Sequence, residues 1–192
     1  MKNLVVVALV TVMMVLASCG NAQKKAEQSK LDSTTIADSI AKVDYSDCSN
    51  WIKTEIDKVS GDTFTGAKNT LIVSTDRGET GLGIFMMQGI DGGLILLIQA
   101  VGAGSCIDEE EKINILFTDG SRLELANDGE FNCKGEVTLY FGDKFGKKKQ
   151  LEELKTKKIQ TMRVWTRDGY VEEDFTKDNQ EEFYYVINCL IK

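Results

Sequence analysis

Apolar residues fall along this chain in three regimes. A run from Leu4 to Leu16 follows Met1-Lys2-Asn3 and closes on the small residues Ala17 and Ser18. A positive start, an apolar stretch and small residues before a cut site predict a secretory signal over residues 1–18. The alternative is a membrane span, but Leu4 to Ser18 is 15 residues and a span needs about 20. Residues 20–44 then hold few large apolar side chains. From residue 46 to 192, short apolar runs broken by glycine-containing turns predict one globular domain.

Within that domain the spacing predicts mainly strands. Cys48 to Val59 reads as a first strand with Ile52, Thr54 and Ile56 on one face, ended by Ser60-Gly61-Asp62. Thr70 to Ser74 is a short strand, and Gly81 to Ile90 and Leu94 to Val101 are joined by Asp91-Gly92-Gly93. Leu94-Ile95-Leu96-Leu97-Ile98 does not alternate, which predicts burial on both faces. Lys112 to Thr118 and Ser121 to Ala126 flank Asp119-Gly120, which predicts a hairpin with a two-residue type I′ turn. Glu136 to Phe141 is a further strand, and a helix covers Lys147 to Lys157 with Leu151 and Leu154 inward. Ile159, Met162, Val164 and Trp165 mark a strand, and Tyr170 to Phe175 follows it after Asp168-Gly169. Phe183, Val186, Ile187, Leu190 and Ile191 fall on one face of a last helix. The expected class is α+β, an antiparallel β-sheet with two C-terminal α-helices packed on it.

The tether, residues 19–45, is rich in Ala, Ser, Thr, Lys, Gln and Asp. Lys24, Lys25, Lys30 and Lys42 balance Glu27, Asp32, Asp38 and Asp44. Such a segment cannot bury enough apolar surface to offset its ordering entropy. Leu31, Ile36, Ile40 and Val43 allow a short amphipathic helix, marginal on its own. A flexible chain of this length spans roughly 25–30 Å and stretches to about 80–90 Å.

Composition narrows the chemistry. There are 23 Lys+Arg against 30 Asp+Glu; losing Lys2 with the signal gives 22 against 30, or −8. An acidic balance argues against nucleic acid as a partner. The absence of histidine excludes Ser-His-Asp and Cys-His catalysis and removes the commonest ligand of catalytic zinc. No motif for a cofactor is found. Beyond Cys19 four cysteines remain, Cys48, Cys106, Cys133 and Cys189. An even number in an exported chain favours disulfides, with three possible pairings; free buried thiols are the alternative. The spacings are too wide for a CxxC zinc site. A two-residue turn at 119–120 pairs residues whose numbers sum to 239, as Cys106 and Cys133 do. That favours their pairing, at a hydrogen-bonded site if the register ran unbroken. Cys48 with Cys189 would then tie the first strand to the last helix.

Leu16-Ala17-Ser18-Cys19 resembles a bacterial lipobox, whose pattern is Leu, two small residues and Cys. The resemblance implies that Cys19 is diacylated and becomes the mature N-terminus, and two acyl chains anchor stably. Gly20 resembles an outer-membrane sorting signal. The acidic cluster that marks surface display in Bacteroidetes-type lipoproteins is missing, since Lys24 and Lys25 come first. The expected location is the outer membrane, facing the periplasm. Phe131-Asn132-Cys133, Gly135-Glu136, Leu139-Tyr140-Phe141-Gly142, Leu151-Glu152-Glu153-Leu154 and Met162-Arg163-Val164-Trp165 resemble small lipoproteins of Bacteroidetes-type bacteria, a family that carries no assigned activity. Asp32-Ser33-Thr34 and Asp38-Ser39-Ile40 are similar to the sites at which such bacteria O-glycosylate exported proteins, making Ser33 and Ser39 candidates.

Three side-chain groups remain as candidate chemistry. Asp108-Glu109-Glu110-Glu111 offers carboxylates to a hard cation but lacks the spacing of a calcium loop. Lys144, Lys147, Lys148, Lys149, Lys155, Lys157, Lys158, Arg163 and Arg167 against Asp143, Glu152 and Glu153 give a local +6. Lys147, Lys148, Lys149, Arg163 and Arg167 are the possible anion contacts; the alternative is a charged helix face with pairs four apart. Asp76-Arg77 and scattered carboxylates could supply an acid/base pair. The leading expectation is a non-catalytic accessory module, held to the membrane by lipid, that binds an envelope protein or a glycan. The alternative is a small carboxylate-dependent hydrolase acting on a glycan. Two carboxylates in a deep cleft favour the hydrolase; an exposed apolar patch favours the binder.

Overall fold

Period-two burial organises the strands. β5 (Leu94–Val101) buries Leu94, Leu96, Ile98 and Ala100 and turns Ile95, Leu97, Gln99 and Val101 outward. β4 (Gly81–Gln88), β6 (Lys112–Phe117), β8 (Glu136–Phe141) and β9 (Ile159–Thr166) bury alternate residues in the same way. The computed structural model describes residues 47–75, 79–89, 92–102 and 106–191. The signal, Cys19, the tether with Ser33 and Ser39, and Asp76-Arg77 lie outside the described residues.

The protein is α+β, and every described strand pairing is antiparallel. The strands divide into two sheets. The first runs β1 (Ile52–Ile56), β2 (Thr63–Ala67), β4, β5, β8, with β3 (Leu71–Val73) also paired to β4. The second runs β10 (Gly169–Asp174), β9, β6, β7 (Arg122–Ala126). Their inner residues form one hydrophobic core with Leu151 and Leu154 of α1 (Lys148–Thr156) and Phe183, Val186, Ile187 and Leu190 of α2 (Lys177–Leu190). Full burial of each large apolar side chain contributes about 1.5–3 kcal/mol. Thr176 and Asn179 form a capping box at the start of α2, satisfying donors that the first turn leaves open.

Four sequence expectations are revised. The run Leu94–Ile98 is buried on one face only, because only the inner face of its sheet meets the core; Leu97 is 36% exposed. In β1, Ile52 packs on the core, but Thr54 and Ile56 are exposed, since this edge strand has β2 alone beside it. β2 itself was hidden: Thr63-Phe64-Thr65-Gly66-Ala67 carries little apolar weight. The fourth is the hairpin turn. β6 and β7 pair with numbers summing to 238, as in Leu116↔Arg122. The loop is therefore three residues, Thr118-Asp119-Gly120. Gly120 alone takes positive φ (83°), and Asp119 accepts hydrogen bonds from Ser121 N (2.9 Å) and Ser121 Oγ (2.5 Å). A three-residue hairpin loop needs one left-handed residue, where a two-residue type I′ turn needs two.

Both disulfides nevertheless form, Cys106–Cys133 and Cys48–Cys189. An irregularity between Asn127 and Asn132 restores the lost register. Asn127 N donates to Glu111 O, while Ile107 and Asn132 exchange both backbone hydrogen bonds. Cys106 and Cys133 thus flank a hydrogen-bonded pair and occupy the closer, non-hydrogen-bonded site, with Cα atoms 3.9 Å apart. Cys189 leaves the apolar stripe of α2 to reach Cys48, and Trp51 stacks on Tyr185 beside it (6.1 Å).

Asn127 also joins the sheets. Its buried side chain accepts from Thr138 N and Gly129 N and donates to Asp108 O and Gly129 O. Asp128 accepts from Tyr140 N (2.8 Å). These two residues occupy the free edge of β8, where unpaired amides would otherwise template another strand.

Candidate functional site

Alternation fixes what the first sheet shows to its outer side. The registers give cross-strand rows: Met87, Ile95 and Tyr140; Phe85, Leu97 and Thr138; Gly83, Gln99 and Glu136; Gly81 with Val101. Ile72 on β3 stands opposite Gly83, and Gly66 on β2 stands opposite Met87. A solvated sheet face ordinarily carries polar residues, but this one is mostly apolar. Ile72 is 62% exposed, Val101 46% and Phe145 53%. The glycines keep the face low. A Cβ at Gly66 would sit 3.2 Å from the Phe85 ring, so glycine lets that ring lie across the neighbouring strand.

The face ends in a pocket of about 190 Å³ between the starts of β5 and the end of β8, lined by Leu94, Ile95, Tyr140, Phe141 and Phe145 together with Gly93. Tyr140 and Phe145 stack at 5.0 Å. Asp143 and Lys144 stand at the rim. The pocket continues the Met87–Ile95–Tyr140 row through Ile95 and Tyr140.

The outer side of the second sheet is the opposite in character. One row reads Glu124, Asn114, Arg163, Glu172 across four strands; the next reads Arg122, Leu116, Thr161, Asp174. Arg163 binds Glu172 through Nε (2.6 Å) and Nη2 (2.5 Å) and lies over the Tyr170 ring (4.2 Å). Trp165 Nε1 donates to Asn114 Oδ1 (2.6 Å), Asn114 Nδ2 to Glu124 Oε2 (3.2 Å) and Thr161 Oγ1 to Asp174 Oδ1 (2.6 Å). Lys112 pairs with Glu124 and, with Asn114, holds its carboxyl below the ordinary range. A shallow trough of about 660 Å³ runs over these rows.

The five cationic candidates are distributed over separate elements. Lys147 pairs with Asp128 (2.6 Å), Lys148 with Asp143 (3.4 Å), and Lys149 is exposed beside them on α1. Arg163 lies on β9, paired with Glu172. Arg167 forks onto Asp108 (2.8 and 2.9 Å) and stacks on Phe131 (4.9 Å). Among the described residues no group of three or more His, Cys, Asp or Glu is placed to hold a metal ion. No described helix is long and apolar enough to cross a membrane.

The Arg167 hydrogen bonds hold the Asp108 carboxyl below its ordinary value. A depressed folded pKa contributes stability above the unfolded value of about 3.9, lost as pH falls through the folded one. Asp108→Asn is therefore expected to be less stable than the parent at pH 7 and to converge with it in acid. Denaturant midpoints from pH 7 to pH 2 check this; a constant offset across the range would sink it.

Neither outer face was located from sequence. The apolar outward positions were hidden in a run read as buried twice over, and the polar grid appears only once the registers are known. The chain matches no family model, no curated protein and no solved structure.

Proposed function

We propose that this chain is a lipid-anchored envelope protein without catalytic activity, and that it binds another protein of the same envelope through the outer face of its first sheet. The observation that carries the reading is the exposed apolar surface of Ile72, Leu97 and Val101 and the pocket beside Tyr140 and Phe145. Exposed apolar side chains gathered on one sheet face cost solubility unless a partner covers them. The pocket suits a single large apolar side chain, the usual anchor of a protein interface. Lys144 and Asp143 line it, and Lys148 pairs with Asp143, so the pocket offers a partner charges of both signs beside its apolar floor.

The lipobox Leu16-Ala17-Ser18-Cys19 supports the anchor, and the resemblance to Bacteroidetes-type lipoproteins supports the compartment. The mature protein is expected to carry acyl chains on Cys19 and to face the periplasm from the outer membrane.

One experiment tests both halves. A photo-reactive residue is placed at Leu97 of the full chain in its native cells, and a control at Glu109. Leu97 is expected to cross-link a defined protein in the membrane fraction, the control to give none, and Tyr140→Lys to abolish the product. Cys19→Ala is expected to move the chain out of the membrane fraction. Equal cross-linking from Glu109, or a product indifferent to Tyr140→Lys, would reject the docking face. An unacylated mature N-terminus would reject the anchor.

A further inference from the structure

We infer that the trough on the outer side of the second sheet binds a neutral saccharide. The site does not rest on the apolar face, which lies on the other sheet. Its volume, about 660 Å³, falls within the roughly 300–1,000 Å³ of small-ligand sites.

Charge selects the ligand class. The lining carries Arg122 and Arg163 against Glu124, Glu172 and Asp174, and Lys112 beside it pairs with Glu124 (3.2 Å). Charges so nearly compensated attract neither anions nor cations strongly. The trough offers closely alternating donors and acceptors instead. A sugar hydroxyl both donates and accepts, so neighbouring hydroxyls match such a grid. The half-buried Leu116 side chain lies among these groups and offers apolar contact to the C–H side of a sugar ring.

The groups are already held in place. Glu172 is fixed by Arg163, Glu124 by Asn114 and Lys112, and Asp174 by Thr161. Each carboxylate has acceptor capacity left after these bonds, because two oxygens provide about four lone-pair directions. Side chains fixed before binding lose little freedom on binding, which lowers the cost of association. The trough lies over the paired strands β10, β9, β6 and β7. β9 and β6 are paired on both sides and β10 and β7 on their inner sides, so a peptide lying across this face finds no open ladder edge beneath it. A ligand recognised by side chains alone fits better.

The test uses the mature protein in detergent, titrated by calorimetry with short neutral oligosaccharides of glucose, mannose, galactose and xylose. At least one series is expected to bind. Arg122→Ala and Asp174→Ala, both at exposed positions, are each expected to weaken it by about tenfold or more, the loss of one hydrogen bond to a charged group. Leu97→Glu on the first sheet is expected to leave it unchanged. Binding by none of the neutral series, binding only to polygalacturonate as an anionic probe, or indifference to both trough substitutions would each overturn the inference. Failure of the cross-linking experiment at Leu97 has no bearing on it.

Discussion

Cys48→Ser combined with Cys189→Ser is expected to lower the unfolding free energy by about 5 kcal/mol, and Cys106→Ser with Cys133→Ser by about 3.5 kcal/mol, on the chain-entropy account of cross-links. The difference follows from loop size: the bonds span 141 and 27 residues. A domain of this size has about 5–15 kcal/mol in all, so the first change removes a large share. Trp51 against Tyr185 is left to hold the start of the domain on α2. Denaturant unfolding of each double variant checks the order. A rise in the denaturant slope is also expected, because the unfolded chain loses a constraint on its extension. Equal midpoints for parent and the Cys48/Cys189 variant would sink the account.

Gly93→Ala is expected to cost about 1–3 kcal/mol or more, the range for forcing extra volume into packed structure. A Cβ at Gly93 would run into the Phe141 carbonyl oxygen, a backbone atom that cannot swing aside. Phe141 pairs with Leu94 at the first rung between β5 and β8. Gly142, with φ of 135°, lies against Gly93, and a Cβ there would stand 3.1 Å from the Gly93 Cα. Relief requires opening the ladder where the apolar pocket is built, so binding at that pocket should fall with stability. Gly120→Ala is the comparison. Gly120 takes positive φ, which Gly93 does not, and a Cβ there meets no atom within 4 Å, so the left-handed penalty of about 1–2 kcal/mol applies without a clash. Thermal unfolding of both variants decides it; a Gly93→Ala protein as stable as the parent would refute the clash.

Elements with a strong local signal were legible in the sequence. The stripe Phe183, Val186, Ile187, Leu190 identifies α2, and the Cys106–Cys133 pairing follows from counting out from Asp119-Gly120. That count succeeded through two departures from regularity that offset each other. The loop is one residue longer than a type I′ turn, and the stretch from Asn127 to Asn132 carries one extra residue. Asp119 closes its turn through a side chain, and Asn127 holds its irregularity by bonds to Gly129 and to the more distant backbone of Asp108 and Thr138. The division into two sheets was not legible. Alternation tells which residues share a face but not which strands share a sheet. Leu97 shows the limit most plainly: an apolar residue between apolar neighbours reads as core, and its exposure depends on what covers the sheet. The surfaces of interest are made of such positions.

The Cys48–Cys189 bond also settles how the domain bears load. Any pull arriving along the chain from the N-terminal side reaches Cys48 before β1, an edge strand with a single neighbour. Unprotected, such a strand would unzip one rung at a time from its leading end. The covalent link diverts the tension to Cys189, on a helix whose Phe183, Val186, Ile187 and Leu190 are seated in the core. Rupture must then dislodge that helix as a whole. Tension applied from this end would meet the core of the domain before it met the rungs of its first strand.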